Sequence, residues 1–171
     1  MRITRILPLA CAVVALVVAG CASRTRSVVE TPVPFDLARD GRVDIVNVDY
    51  MPVMREVAAD FPYLFERQVK ARLAGCARGA RPLRLDARIT QFIRSGPVTT
   101  TLLVGRNQIR GEAVLTDLQT GREVGRYRIG RITIGGAAAL PAMAPADARL
   151  SAAFGNEVCR RAFPRKVAAA R

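Results

Sequence analysis

Histidine and tryptophan are absent from the 171 residues, and lysine occurs only at Lys70 and Lys166. Without histidine, the commonest general base and the commonest imidazole ligand for a metal are missing. No Walker-type or dinucleotide-binding glycine pattern occurs, and Gly135-Gly136 is followed by alanines, which suits a turn. Cysteine is limited to four positions. The longest apolar run, Ile6 to Val18, is shorter than the ~20 residues a membrane-spanning helix needs. What is abundant is positive charge. Twenty-seven basic residues face 14 acidic ones, a formal net charge of +13, and nearly all of it is arginine.

The first residues carry an address. Arg2 and Arg5 precede the apolar run, and the small pair Ala19-Gly20 stands directly before Cys21. A positive start, a short apolar centre and a small-residue finish fit a secretory signal peptide. The ending VAGC, Val18 to Cys21, resembles the lipobox of bacterial lipoproteins. That resemblance implies cleavage before Cys21, diacylglycerol (palmitate-type) chains on its thiol, and an anchored mature chain. One acyl chain gives only marginal attachment, whereas two or three on one residue hold a protein on a membrane. Ala22 stands where an Asp would favour the inner membrane in enteric bacteria, so the resemblance points to the outer membrane, facing the periplasm. An ordinary leader with an accidental cysteine is the alternative.

Removing residues 1–20 takes away two arginines and no acid, so the mature chain stays strongly basic. About 150 residues make one domain with a real core. An exported basic protein is drawn to anionic lipid headgroups, lipopolysaccharide phosphates or peptidoglycan carboxylates. Export argues against nucleic acid as the partner. Cys11 leaves with the leader and Cys21 is used by lipid. Cys76 and Cys159 are left, and in an oxidising compartment a lone pair reads as one disulfide, with two buried thiols as the alternative.

Residues 21–41 read as lipidated cysteine, tether and irregular entry, and 164–171 as a basic tail. A single α+β domain is expected over 42–163. Val43–Val48 is β-branched and reads as a buried strand. Asp60 is placed to cap a helix with Pro62 in its first turn and Phe61, Phe65, Val69 and Leu73 on one face. LRLDARITQFI alternates, with Leu83, Leu85, Ala87, Ile89, Gln91 and Ile93 on one side and Arg84, Asp86, Arg88, Thr90, Phe92 and Arg94 on the other. Val98–Val104 continues a strand or forms an apolar flap. DLQTG reads as a hairpin turn with Gly121 at positive φ. Tyr127 and Ile129 share a face that Ile132 and Ile134 leave, so a β-bulge at Gly130 is expected to restore them. After Pro145, Leu150, Phe154 and Val158 align on a second helix. The expected order is β-α-β-β-β-α. It forms a two-layer sandwich, with a four-stranded, mainly antiparallel sheet covered on one face by two helices. In architecture alone this resembles the lipoproteins of outer-membrane lipopolysaccharide assembly and the auxiliary lipoproteins of lipid-trafficking ABC transporters.

Candidate chemistry is sparse. Asp44 and Asp49 flank a strand end, where scattered carboxylates are ordinary solvated groups. Ser95-Gly96 and Thr99-Thr100-Thr101 have no neighbouring base. No catalytic residue, cofactor or metal is expected. The functional candidates are Arg84, Arg88, Arg110, Arg126 and Arg128, which alternation places together opposite the helices. Such a face is either solvated and laced with cross-strand ion pairs, or a docking surface for an anionic ligand or acidic partner. The expectation is a non-catalytic, anchored envelope lipoprotein that binds a protein partner or an anionic envelope component. The alternatives are a cell-wall-acting enzyme and a purely structural tether.

Overall fold

The computed structural model describes residues 26–50, 57–94, 106–135 and 144–164. The leader, Cys21, the Val98–Val104 stretch, the serine and threonines at 95–101, Gly136 and the tail beyond Pro164 lie outside the described residues. The elements are β1 (Val28–Thr31), α1 (Phe35–Asp40), β2 (Gly41–Tyr50), α2 (Phe61–Leu73), β3 (Arg81–Ile93), β4 (Arg106–Asp117), β5 (Glu123–Gly135) and α3 (Ala146–Ala162). They build an α+β domain on one sheet of order β1-β5-β4-β3-β2. β2 runs parallel to β3 and the other pairs are antiparallel, so the sheet is mixed. The parallel pair follows from α2, which lies between those strands in sequence and carries the chain back over the sheet.

Among the described residues the sheet therefore has five strands rather than four, and the domain has three helices rather than two. Both extra elements fall in the segment expected to be tether. β1 is four residues, VVET, all exposed, so no alternation marks it. It is held by what surrounds it. The Ser27 hydroxyl accepts the Gly130 N–H at 3.0 Å, and the hydroxyl of fully buried Tyr127 accepts the Val33 N–H at 2.9 Å. Leu37 of α1 then joins the core.

Most apolar stripes sit where alternation and helical spacing put them. Phe61, Phe65, Val69 and Leu73 are fully buried, as are Leu83, Leu85, Ile89, Leu150, Phe154 and Val158. Phe61 meets Phe92 at 4.8 Å between ring centroids, which joins α2 to the sheet, and Phe65 meets Phe154 at 5.3 Å, which joins α2 to α3. Pro62 occupies the first turn of α2, but the Asp60 side chain makes no capping bond. Val43–Val48 belongs to an edge strand rather than a buried one. Its register shifts between Val43 and Ile45, which leaves Ile45 42% exposed.

Three further register shifts flank β4, one of them beside the hairpin, where Leu115 and Thr116 face Gly125 and Glu123. Along β5 the pairing advances from Ile129 to Ile132 while β4 moves only from Gly111 to Ile109. This is the bulge expected at Gly130, and it returns Ile132 to the core. Along β3 the pairing runs from Ile89 to Gln91 while β4 moves from Gly111 to Arg110. That second extra residue, at Thr90, reverses the expected parity beyond it. Phe92 is buried and Ile93 is 38% exposed.

The β4–β5 hairpin turns with Gly121 at φ 68°, where glycine carries no side-chain penalty. The Asp117 side chain organises the turn. Its buried carboxylate accepts from Arg81 Nη2 at 2.5 Å, from Thr120 Oγ at 2.9 Å and from the Gln119 N–H at 3.0 Å. The Arg81 guanidinium, outweighing burial, holds this carboxyl at about 2 against an ordinary 3.8. Because the folded value is depressed, its stabilisation is complete above about pH 4 and fades as pH falls toward 2. Urea titrations stepped from pH 5 to 2 should show Asp117→Asn losing part of the wild-type acid sensitivity in that window. An unchanged pH profile would contradict this role.

Cys76, just past α2, and Cys159, late in α3, form a disulfide with Cα atoms 5.9 Å apart. The bridge fastens the two helices to each other. At a sequence separation of 83, the chain-entropy account gives a stabilisation of up to about 4.5 kcal/mol, and native bridges typically contribute ~2–4 kcal/mol. Reduction, or the double change Cys76→Ser with Cys159→Ser, should lower the unfolding free energy within that range. Equal denaturant midpoints for the oxidised and reduced chains would contradict it.

Candidate functional site

The helices cover one face of the sheet, and among the described residues no element covers the other. Period-two alternation sends Arg84 and Arg88 of β3, Arg110 and Glu112 of β4, and Arg126 and Arg128 of β5 to that open face, while Leu83, Ile109 and Tyr127 point to the core. Register then sorts the charges into rows. Asp49, Arg88, Glu112 and Arg128 lie opposite one another across β2, β3, β4 and β5, alternating in sign. The next row is Asn47, Asp86, Val114 and Arg126.

Four of the five arginines expected as a basic patch are tied to acids. Arg84 pairs with Asp86 at 2.9 Å, Arg88 with Asp49 at 3.5 Å, Arg126 with Glu123 at 2.5 Å and Arg128 with Glu30 at 2.5 Å. Arg126 holds the Glu123 carboxyl below its ordinary range. Exposed pairs of this kind contribute ~1 kcal/mol or less each. They spread the charge over the face more than they hold the fold. Arg110 differs, since its guanidinium has no ion pair among the described residues. Arg94, placed on this face by simple alternation, lies elsewhere. The bulge at Thr90 precedes it, and it reaches buried Asp147 at the start of α3, 2.5 Å away. Burial pushes the Asp147 carboxyl up, and Arg94 pulls it back.

At the two bulges the open face becomes concave. A hollow of about 450 Å³ is bounded by Thr90, Gln91, Arg110, Glu112, Arg128 and Arg131. A smaller adjoining one, about 200 Å³, is walled by Arg26, Arg110, Arg128 and Arg131 around Gly130. Of the five expected arginines, the structure brings only Arg110 and Arg128 together here. Arg84, Arg88 and Arg126 stand apart in their rows. Arg26 and Arg131 were missed. Arg26 fell in the presumed tether, while Arg131 adjoins the expected Gly130 bulge, a signal that was available. Gly111 sits between the bulges with its backbone against β3: a Cβ there would lie 2.4 Å from the Arg88 carbonyl oxygen.

A third concavity, about 790 Å³, follows the disulfide between the ends of α2 and α3, beside Arg72, Arg160 and Phe163. Cys76 and Cys159, being oxidised, offer no nucleophilic thiol there. Among the described residues no group of three or more Asp, Glu, His or Cys is placed to hold a metal ion, and no helix is long and apolar enough to cross a membrane.

No family model matches the chain, and no curated protein matches it. Among solved structures it is similar to the PelC dodecamer from Paraburkholderia phytofirmans, seen in two crystal forms. Identity is 14% and the TM-score 0.48 in each, covering 80% of this chain and 98% or 99% of that one. It is also similar to a provisionally named lipoprotein from Caulobacter crescentus CB15, at 18% identity and a TM-score of 0.35, covering 67% of this chain and 84% of that one. Likenesses this distant carry nothing about the function of this chain.

Proposed function

We propose that the chain is a non-catalytic, lipid-anchored envelope protein whose open sheet face is its binding surface. The observation that carries this reading is the open face itself. It spans a five-stranded sheet, has no described element over it, and bears charged rows that end in a concave arginine cluster. The sequence supplies the anchor, the VAGC ending at Cys21. The Cys76–Cys159 bridge is consistent with an oxidising compartment such as the periplasm. The partner is an envelope protein with acidic groups or an anionic envelope component, met from the periplasmic side of the outer membrane.

Two experiments test this. Cys21→Ser should abolish palmitate labelling and leave uncut precursor or a soluble form. A variant that still carries palmitate and sediments with membranes would overturn the anchor. For the face, Arg84→Glu with Arg88→Glu, the first half-buried and the second exposed, should alter stability by ~1 kcal/mol or less. The same change should reduce crosslinking of the lipoprotein to its envelope neighbours, as should raised salt. Unchanged crosslinking by a folded variant would remove the sheet face from the account.

A further inference from the structure

The entry of the chain into the domain is tightly placed. Ser27 is buried, and its hydroxyl is bonded to the Gly130 N–H at the β5 bulge. The residue before it, Arg26, already forms part of the wall of the smaller hollow. Only five residue steps separate Cys21 from Arg26. Fully extended, they span at most about 18 Å. Whatever course they take, an anchor at Cys21 keeps this hollow within that distance of the membrane surface.

We propose that the hollow walled by Arg26, Arg110, Arg128 and Arg131 holds the phosphate of an anionic lipid headgroup, in the same membrane that carries the Cys21 anchor. This deepens the binding-surface reading and rests on the anchor for its proximity. The chemistry fits. Guanidinium forks match phosphate oxygens bidentately and stay charged at any physiological pH. Four arginines converge here, with Glu30 drawn onto Arg128 and Glu112 at the rim of the larger hollow. Among the described residues Arg110 has no ion pair, so it meets a phosphate without breaking one there. Gly130 contributes backbone alone to the wall, which leaves the space between the forks open. Attraction between basic side chains and an anionic leaflet falls off within a Debye length, ~8–10 Å near physiological salt. A short tether is therefore what makes such a site effective. The contact would turn the open sheet face at the bulges toward the lipid and hold the domain in one orientation.

The test uses the full, acylated chain in neutral-detergent micelles, with arginine Nε–H signals followed by NMR as phosphatidylglycerol is added. Signals of Arg26, Arg110, Arg128 and Arg131 should move together and saturate, while that of Arg122 in the β4–β5 turn stays still. Arg110→Gln should weaken the apparent affinity about fivefold, and Arg26→Gln with Arg110→Gln about 25-fold, from the effect expected per arginine at an anionic surface. Arg122→Gln should leave it unchanged. Phosphatidylcholine should produce no shift. If inorganic phosphate or a hexaglutamate peptide moved the four signals at concentrations as low as the lipid does, a membrane headgroup would not be the ligand. Mass measurement of the same sample reports acylation. An acylated chain with unresponsive arginines would overturn this inference and leave the anchor intact. An unacylated chain with responsive arginines would overturn the anchor and leave the headgroup site.

Discussion

Two extra residues, one in β3 at Thr90 and one in β5 beside Gly130, keep the apolar side chains on a single side of the sheet. A strand has period two, so an uncompensated run of alternation has no means of changing face. Each bulge absorbs one residue, and Phe92 and Ile132 pass into the core in consequence. Both bulges press on the same short piece of β4, around Gly111. The place where the core is corrected is thus also the place where the opposite face is indented. The arginine hollow is the outer side of that correction.

The helix layer depends on the same one-sidedness. α2 and α3 have a continuous apolar floor only because the bulges maintain it, and the Cys76–Cys159 bridge joins them above it. The open face is then left to charge. One of its rows alternates in sign, and four of its arginines are paired with neighbouring acids. Charge concentrates where the pairing lapses, at Arg110, and where the incoming chain adds Arg26. The hydrogen bonds from Gly130 to Ser27 and from Val33 to Tyr127 fix that incoming chain, which brings Arg26 to the hollow on the open face.

Much of this was legible in the residues. Four-residue spacing in α2 and α3 and strict alternation from Leu83 to Ile89 depend on local periodicity, which a sequence displays directly. The Gly130 bulge was readable because its two arms, Tyr127-Ile129 and Ile132-Ile134, change parity around a glycine. The Thr90 bulge was not. Thr90 is flanked by residues acceptable on either face, so Gln91 and Ile93 looked inward-pointing and Arg94 outward-pointing. β1 and α1 were also hidden. Four exposed residues and a six-residue helix have no period of their own, and they are held by Tyr127 and Gly130, about a hundred positions away. Arg26 of the hollow was missed for this reason, whereas Arg131 stands beside the readable Gly130 bulge. The five expected arginines alternate with buried residues along their strands, but the acids that pair with four of them depend on register and neighbouring strands, which alternation does not give.

The orientation proposed for the domain on a membrane is the central claim. Paramagnetic relaxation from gadolinium-chelating lipids, in nanodiscs that carry the acylated protein, reads it directly. The account predicts the strongest broadening at the amides of Arg26, Gly111 and Arg131, and the weakest along the outer side of α3 near Asn156. Strongest broadening near Asn156 and Arg160, with the bulges spared, would place the helices toward the lipid and contradict it.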